Sequence, residues 1–300
     1  MPTWWLRGKF SWQCWWHHPL CVWARVLITL GLVVWALVQG GQHLGYQWQW
    51  RRLWPFIGGW ENGSWQPGPL LWGLGVTIEV SCWALAGAVV VAFVLALMRI
   101  SPSPLARVLA RCILEVVRNT PFIVQIFLFY FVIAPFVGLE RLPTAIIALA
   151  LFEGTYASEI IRAGILAVPQ GQWEAGRSLG IGPWPLWTRI ILPQAMRTVL
   201  PALINQAVSL IKDSALVSTI AVYDLSMRAQ AIVAETFLVF EVWFTVAALY
   251  LVLTGSLAWC AAQIQGSHQP NSLPGGLYVP HCSHASFLRR FSRSWGTSTR

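Results

Sequence analysis

LLWGLGVTIEVSCWALAGAVVVAFVLALM (Leu70–Met98) stays apolar for longer than the ~20 residues that carry a helix through ~30 Å of hydrocarbon. Five further runs approach or exceed that length: Val22–Val38, Ile113–Val137, Pro143–Leu166, Val199–Val222 and Phe237–Ala262. Strands crossing lipid would leave their edge amides and carbonyls without partners, so the runs are read as helices. The chain of 300 residues is 56% hydrophobic and 10% charged, where a soluble domain carries roughly 25% charge, and its mean hydropathy is +0.59. These features predict an all-α polytopic membrane protein with about six transmembrane helices.

Between the runs lie the cations. With the amino terminus inside, the inner segments hold Arg7, Lys9, Arg99, Arg107, Arg111, Arg177, Arg189, Arg197, Arg289, Arg290, Arg293 and Arg300. The outer loops hold only Arg51, Arg52, Arg141 and Arg228. That asymmetry places both termini in the cytoplasm. It also explains the net charge of +9 without nucleic acid, because the basic residues flank apolar runs and form no phosphate-binding patch.

The chain outside the long runs divides by composition. Residues 1–21 form a cytoplasmic tail, and 22–38 an additional membrane helix that remains as an anchor: Arg25 interrupts its start and no clean cleavage site follows. The outer loop 39–69 is rich in Trp and Gly, as in YQWQWRRLW, which fits a helix lying at the headgroup level. The Pro/Gly/Ser-rich tail 263–300 has the composition of a disordered segment, and its FLRRFSRSW end has the composition to touch anionic lipid.

Polar residues inside apolar runs are costly and therefore informative. Glu153 sits near the middle of the fourth run, and Glu159 and Arg162 follow at a spacing that lets them pair on one helical face. The fifth run holds Asn205, Gln206, Lys212, Asp213 and Ser214, and the third opens with Glu115, Arg118, Asn119, Thr120 and Gln125. Packing inside the bundle explains the Glu159–Arg162 pair. For Glu153, Asn119, Thr120, Gln125, Lys212, Asp213 and Ser214, packing and a polar translocation path both remain open, and their concentration in three runs is what helices around a cavity would show.

Chemistry elsewhere is sparse. The two lysines, Lys9 and Lys212, fit no GxxxxGK[ST] loop, so the chain is not expected to hydrolyse ATP, and no Ser/His/Asp or HExxH pattern occurs. The six cysteines form no CxxC pair or disulfide framework. CWWHHPLC (Cys14, His17, His18, Cys21) has the composition of a metal or redox site in a Trp-rich tail, as does HCSH (His281, Cys282, His284).

The most ordered stretch is a loop, GQWEAGRSLGIGPWPLWTRIILP (Gly171–Pro193). Glu174, Ala175, Gly176, Gly180, Ile190, Leu192 and Pro193 follow EAA-x3-G-x9-I-x-L-P, with Gly176 in place of the second alanine. This spacing resembles the signature of the membrane subunits of ATP-binding-cassette (ABC) importers. WGLGVTIEVS (Trp72–Ser81), EVVRNTPFIVQIFLFYF, TYASEIIRAGI with VPQGQWEA, and KDSALVSTIAVYDL (Lys212–Leu225) are similar, in order, to segments of the polar amino-acid permeases of the histidine/glutamate/glutamine/arginine type. The likeness covers 70–262 and implies a five-helix type I importer core.

The resemblance implies a permease that binds no cofactor itself and sits in a bacterial inner membrane. ATP and Mg2+ would reside on separate ATPase subunits, with an extracytoplasmic solute-binding protein and either a second copy or a sister permease completing the assembly. Glu174, Ala175, Gly176, Arg177, Gly180, Ile190, Leu192 and Pro193 would form the coupling element against the ATPase. Small residues there permit close approach, Gly180 suits a left-handed helix end, and Pro183 and Pro185 suit the first turn of the next helix. A membrane metal or redox protein and a self-sufficient secondary transporter are the competing readings.

Overall fold

The computed structural model describes residues 27–29, 31–32, 35, 39–40, 46–61 and 63–266. The Cys14–His17–His18–Cys21 and His281–Cys282–His284 groups, the FLRRFSRSW end and most of the Val22–Val38 run lie outside the described residues. Residues up to Ala258 belong to one unit; in the second, Trp259–Arg300, the described residues are helical.

The Trp-rich loop folds into a helix and a hairpin. Helix α1 (Trp50–Ile57) is followed by antiparallel strands β1 (Gly58–Glu61) and β2 (Ser64–Pro67), with Trp60 paired to Trp65. The helix fits the expectation for a surface element, whereas the hairpin is a correction. Its signal was Asn62-Gly63, a two-residue turn sequence, and Gly63 has φ +79°. Tyr46 and Gln49, just before α1, seat this region on a distant helix: the Tyr46 hydroxyl and the Gln49 N–H donate to the two carboxylate oxygens of buried Glu241, at 2.5 and 2.7 Å.

Helix α2 (Pro69–Ile100) carries the opening stretch. Its buried face is a run of small residues one turn apart, Ala84, Ala88, Ala92 and Ala96, and it packs on α5 (Arg141–Ala167). Small side chains let the two backbones approach closely, as membrane helices require. A Cβ on Gly87 would stand 2.8 Å from the Ala150 methyl, and one on Gly154 2.7 Å from Val91. These contacts and an Arg99–Glu159 ion pair show that α2 and α5 run parallel.

The third run is not one helix. It divides into α3 (Pro104–Arg118) and a second helix, α4 (Phe122–Val137), bent from it by 105°. Pro121 has no amide to continue the ladder and keeps the residue before it out of helical geometry. Gln125 braces the corner, its side-chain amide donating to Val117 O at 2.7 Å and Thr120 O at 2.8 Å.

The fifth run also differs from expectation. A short turn, Pro183–Pro185, passes into the wider-turned Leu186–Ile191 and then α7 (Leu192–Asp213), where the helix gives way to a tighter one over Ser214–Ile220. Helix α8 (Leu225–Thr236) and α9 (Val239–Gly266) complete the described residues. Among them, three helices are long and apolar enough to cross a membrane (Pro69–Ile100, Arg141–Ala167 and Val239–Gln263), or four if the bent pair is one span. Of the six expected spans, the first is largely outside the described residues. The fifth misses on apolarity, not length, because α7 spans ~33 Å yet carries Gln194, Arg197, Gln206, Lys212 and Asp213.

Candidate functional site

At the Ala167 end of α5 the chain enters the ordered loop. Helix α6 (Gln170–Ser178) ends in a complete glycine cap: Gly180 has φ +71°, its N–H donates to Arg177 O at 3.0 Å, and the Ile181 N–H reaches back to Gly176 O at 3.1 Å. Gly176 is the buried residue of α6, and a Cβ there would press on the Leu186 Cδ1 methyl. The departure from the EAA triplet thus sits where α6 packs directly on Leu186. Trp173 meets Trp187 edge-on at 6.0 Å between centroids. Trp173, Ile181, Leu186, Ile190 and Ile191 pack with Ile161 and Ile165 of α5.

The motif residues thus split into three sets beside the Gly180 cap. Gly176 and Ile190 join the packing, Leu192 and Pro193 open α7, and Glu174, Ala175 and Arg177 face outward. Leu179 and Trp184, each 77% exposed, add apolar area to the outward face. Sequence reasoning missed both; two large apolar residues beside Gly180 and Pro183 were the available signal. Beneath the loop, Glu159 pairs with Arg162 at 3.6 Å as its spacing predicted, and also with Arg99 of α2, a partner from a distant run.

Midway along α5, Glu153 is 1% exposed. Gln206 of α7 donates to one carboxylate oxygen at 2.5 Å, the other oxygen has no hydrogen-bond partner, and the Asp213 carboxyl is the neighbouring acid. Arg118 lies over the Tyr156 ring at 5.7 Å, one helical turn along α5. The remaining candidates make local contacts or are exposed. Asn119 donates to Glu115 at 2.9 Å, Thr120 to Val116 O at 2.8 Å, and Gln125 to the backbone of the corner. Lys212 is exposed, and Ser214 donates to Ile211 O at 2.7 Å. The structure therefore groups Glu153, Gln206 and Asp213, while the hydrogen bonds of Asn119, Thr120, Gln125 and Ser214 run within their own segments.

A cavity of about 630 Å³ opens at the other end of the bundle, where α5 begins. Glu79, Glu140, Arg141 and Arg228 line it with Tyr130 and Tyr223. Arg141 donates to the Tyr130 hydroxyl at 3.2 Å, and the Arg228 guanidinium stands 5.0 Å from the Tyr223 ring centroid. Sequence reasoning used Arg141 and Arg228 only to orient the chain and gave Glu79 and Glu140 no role.

A parallel helix pair, a sharply broken third helix and a capped loop helix projecting from the bundle define a membrane component of a transport system. The chain belongs to the family of binding-protein-dependent transport system inner membrane components, matched over residues 88–265. It is 37% identical to the L-cystine transport system permease protein TcyB of Bacillus subtilis (strain 168) over 210 residues, covering 69% of this chain and 80% of that one. It is 31% identical to the glutamine transport system permease protein GlnP of Escherichia coli (strain K12) over 223 residues, 73% of this chain and 97% of that one. A crystal structure of an amino acid ABC transporter with histidines superposes at a TM-score of 0.62 with 34% identity, covering 66% of this chain and 94% of that one. An inward-facing MetNI methionine ABC transporter shares the fold at a TM-score of 0.56 and 20% identity, over 67% of this chain and 94% of that one.

Proposed function

We propose that the chain is the permease subunit of an ABC importer that moves polar L-amino acids into the cytoplasm by alternating access. The α6 loop couples it to separate ATPase subunits, which carry the ATP and Mg2+. The observation that carries this reading is the construction of the loop. Its inner side is locked by Gly176 against Leu186 and by the Gly180 cap, while Glu174, Arg177, Leu179 and Trp184 are left outward for another chain. Charged and apolar groups on one rigid projection fit a protein partner better than solvent. The names of the relatives favour amino acids as cargo.

In this reading the α6 end faces the cytoplasm, as the cation asymmetry predicts, and both termini lie there. The permease domain spans 70–262, pairs with itself or a sister permease, and receives cargo from an extracytoplasmic solute-binding protein. ATP-driven closure of the ATPase pair swings the projecting helices and turns the bundle from outward- to inward-facing. The test uses the complex co-expressed with its ATPase and binding protein in proteoliposomes. Gly180→Val places a β-branched residue at positive φ and disturbs the cap. The variant is expected to insert normally yet hydrolyse ATP without concentrating amino acid. Full transport by this variant would remove the coupling assignment.

A further inference from the structure

The geometry points to the cavity at the Arg141 end as a receiving site for a free α-amino acid, with Arg141 and Arg228 holding the carboxylate and Glu79 and Glu140 the ammonium. The inference rests on the permease reading and specifies a site within it. Five observations converge. Glu79 is exposed although it belongs to the apolar helix α2. A carboxylate facing hydrocarbon is expensive, so its place on a cavity wall that it shares with Arg141 and Arg228 accounts for it. Two acids and two bases line the same space, yet no ion pair joins any of them among the described residues. Opposite charges that share a cavity without neutralising one another remain available to a ligand carrying both signs.

Arg228 is also held in place from behind. Gly73 lets α2 press on the start of α8, where a Cβ would lie 2.8 Å from Asp224 O and 2.9 Å from Arg228 Cγ. Thr77 of α2 accepts from the Leu225 N–H at 3.1 Å, fastening the same junction. The guanidinium lies over Tyr223, and its Nε is shielded from solvent without a hydrogen-bond partner. Ala221, also on the cavity wall, sits at φ +58°, a conformation costly for alanine that the surrounding structure sustains. The volume of about 630 Å³ falls within the usual range for small-molecule sites and exceeds what a single amino acid needs, leaving room for side chains of different length.

The experiment takes the wild-type complex with its ATPase in lipid nanodiscs, without binding protein. Its probe is the radiolabelled amino acid that the same complex, with binding protein, concentrates fastest from an equimolar panel of the twenty. Equilibrium dialysis is expected to show saturable binding, weakened about tenfold or more by Arg228→Gln and by Glu79→Gln. The exposed substitutions Glu140→Gln and Arg141→Gln, which do not threaten folding, are expected to weaken it as well. The deaminated acid should compete poorly with wild type and relatively better with Glu79→Gln. Wild-type affinity in all four variants, or no saturable binding by the wild-type complex, overturns the site. So does loss of binding-protein capture by the variants with dialysis unchanged, which would make the cavity a protein dock. Failure of the wild-type complex to concentrate any amino acid with ATP would instead strike the permease reading itself.

Discussion

Single residues decide several properties of this chain, and Asp224 shows how. It caps α8 by accepting the Met227 N–H at 2.8 Å, lies outside the candidate membrane spans and is fully buried. Burial pushes its carboxyl up to about 6, against the backbone amides of Met227 and Ser226 and the Tyr250 hydroxyl, which favour the charged form. An unfolded aspartate titrates near 3.9, so between about pH 4 and 6 the folded state holds the extra proton. Stability from this group is therefore greatest below about pH 4, falls as pH rises through 6, and is flat above. Asn caps helices as well as Asp does. Asp224→Asn is expected to keep the cap and remove the ionisation cost, of order 2–3 kcal/mol at neutral pH. Melting in detergent from pH 4.5 to 7.5 reads this out as a gain over wild type that grows with pH; a constant offset would contradict it.

Glu153 offers a second test at this scale. A glutamine in its place could still accept from Gln206 through its amide oxygen, so Glu153→Gln removes charge with little change of shape. If the carboxylate meets the cargo's ammonium in mid-bundle, labelled amino-acid binding by the assembled complex falls about tenfold; unchanged affinity would remove Glu153 from the path. That a buried acid stood in this run was legible in the sequence, since a glutamate amid ALALF and GTYAS is conspicuous. That Gln125 braces the helix corner was not legible, because a polar residue near Pro121 looks the same whether it turns inward to cargo or back to its own backbone.

Among the elements, the apolar runs predicted α2, α5 and α9 well, because continuous hydrophobicity leaves a helix few alternatives in lipid. The breaks were harder. The third run stays apolar across its 105° corner, so hydropathy could not register a change of direction made by Pro121 and braced by Gln125. The hairpin was hidden for the opposite reason, being too short to show alternation. The N-terminal docking was invisible in sequence, since Tyr46 and Glu241 are 195 residues apart. Burial and the Glu241 carboxylate push the Tyr46 hydroxyl up to about 12, so it remains a donor at any physiological pH. Glu241→Ala removes both hydrogen-bond anchors and leaves the tilted contacts of Trp48 with Phe240 and Phe244 and the edge contact of Tyr46 with Phe240. Residues 46–57 are then expected to exchange amide hydrogens at least tenfold faster, with trypsin cutting more readily after Arg51 or Arg52, while α2 and α5 keep their protection.

For the whole molecule, the exposed apolar surface sets the surroundings. Trp72, Trp83, Val90, Val94, Phe131, Phe136, Leu251 and Val252 are all exposed, an outer face that needs lipid or another subunit. The pairing proposed above predicts two permease chains with two ATPase chains in native mass spectrometry of the gently solubilised complex; a complex with one permease chain would contradict it. The capped loop that carries α6 was legible because its residues are adjacent in the chain and follow a fixed spacing. The cavity at the other end was not, because Glu79, Arg141 and Arg228 come from three separate elements and acquire common meaning only when folded.

Helix α5 gives these distant places a mechanical relation. Its residues, Arg141 to Ala167, form one unbroken rod of ~40 Å, with the cavity at its first turn and the α6 projection just past its last. Tilting such a rod by about 10° around its centre carries each tip roughly 3–4 Å in opposite directions. Glu153, close to the midpoint, is at the fulcrum and barely moves. In the proposed transport cycle, a see-saw of this kind would let a push at one end of the bundle widen or narrow an opening at the other while the central carboxylate keeps its place.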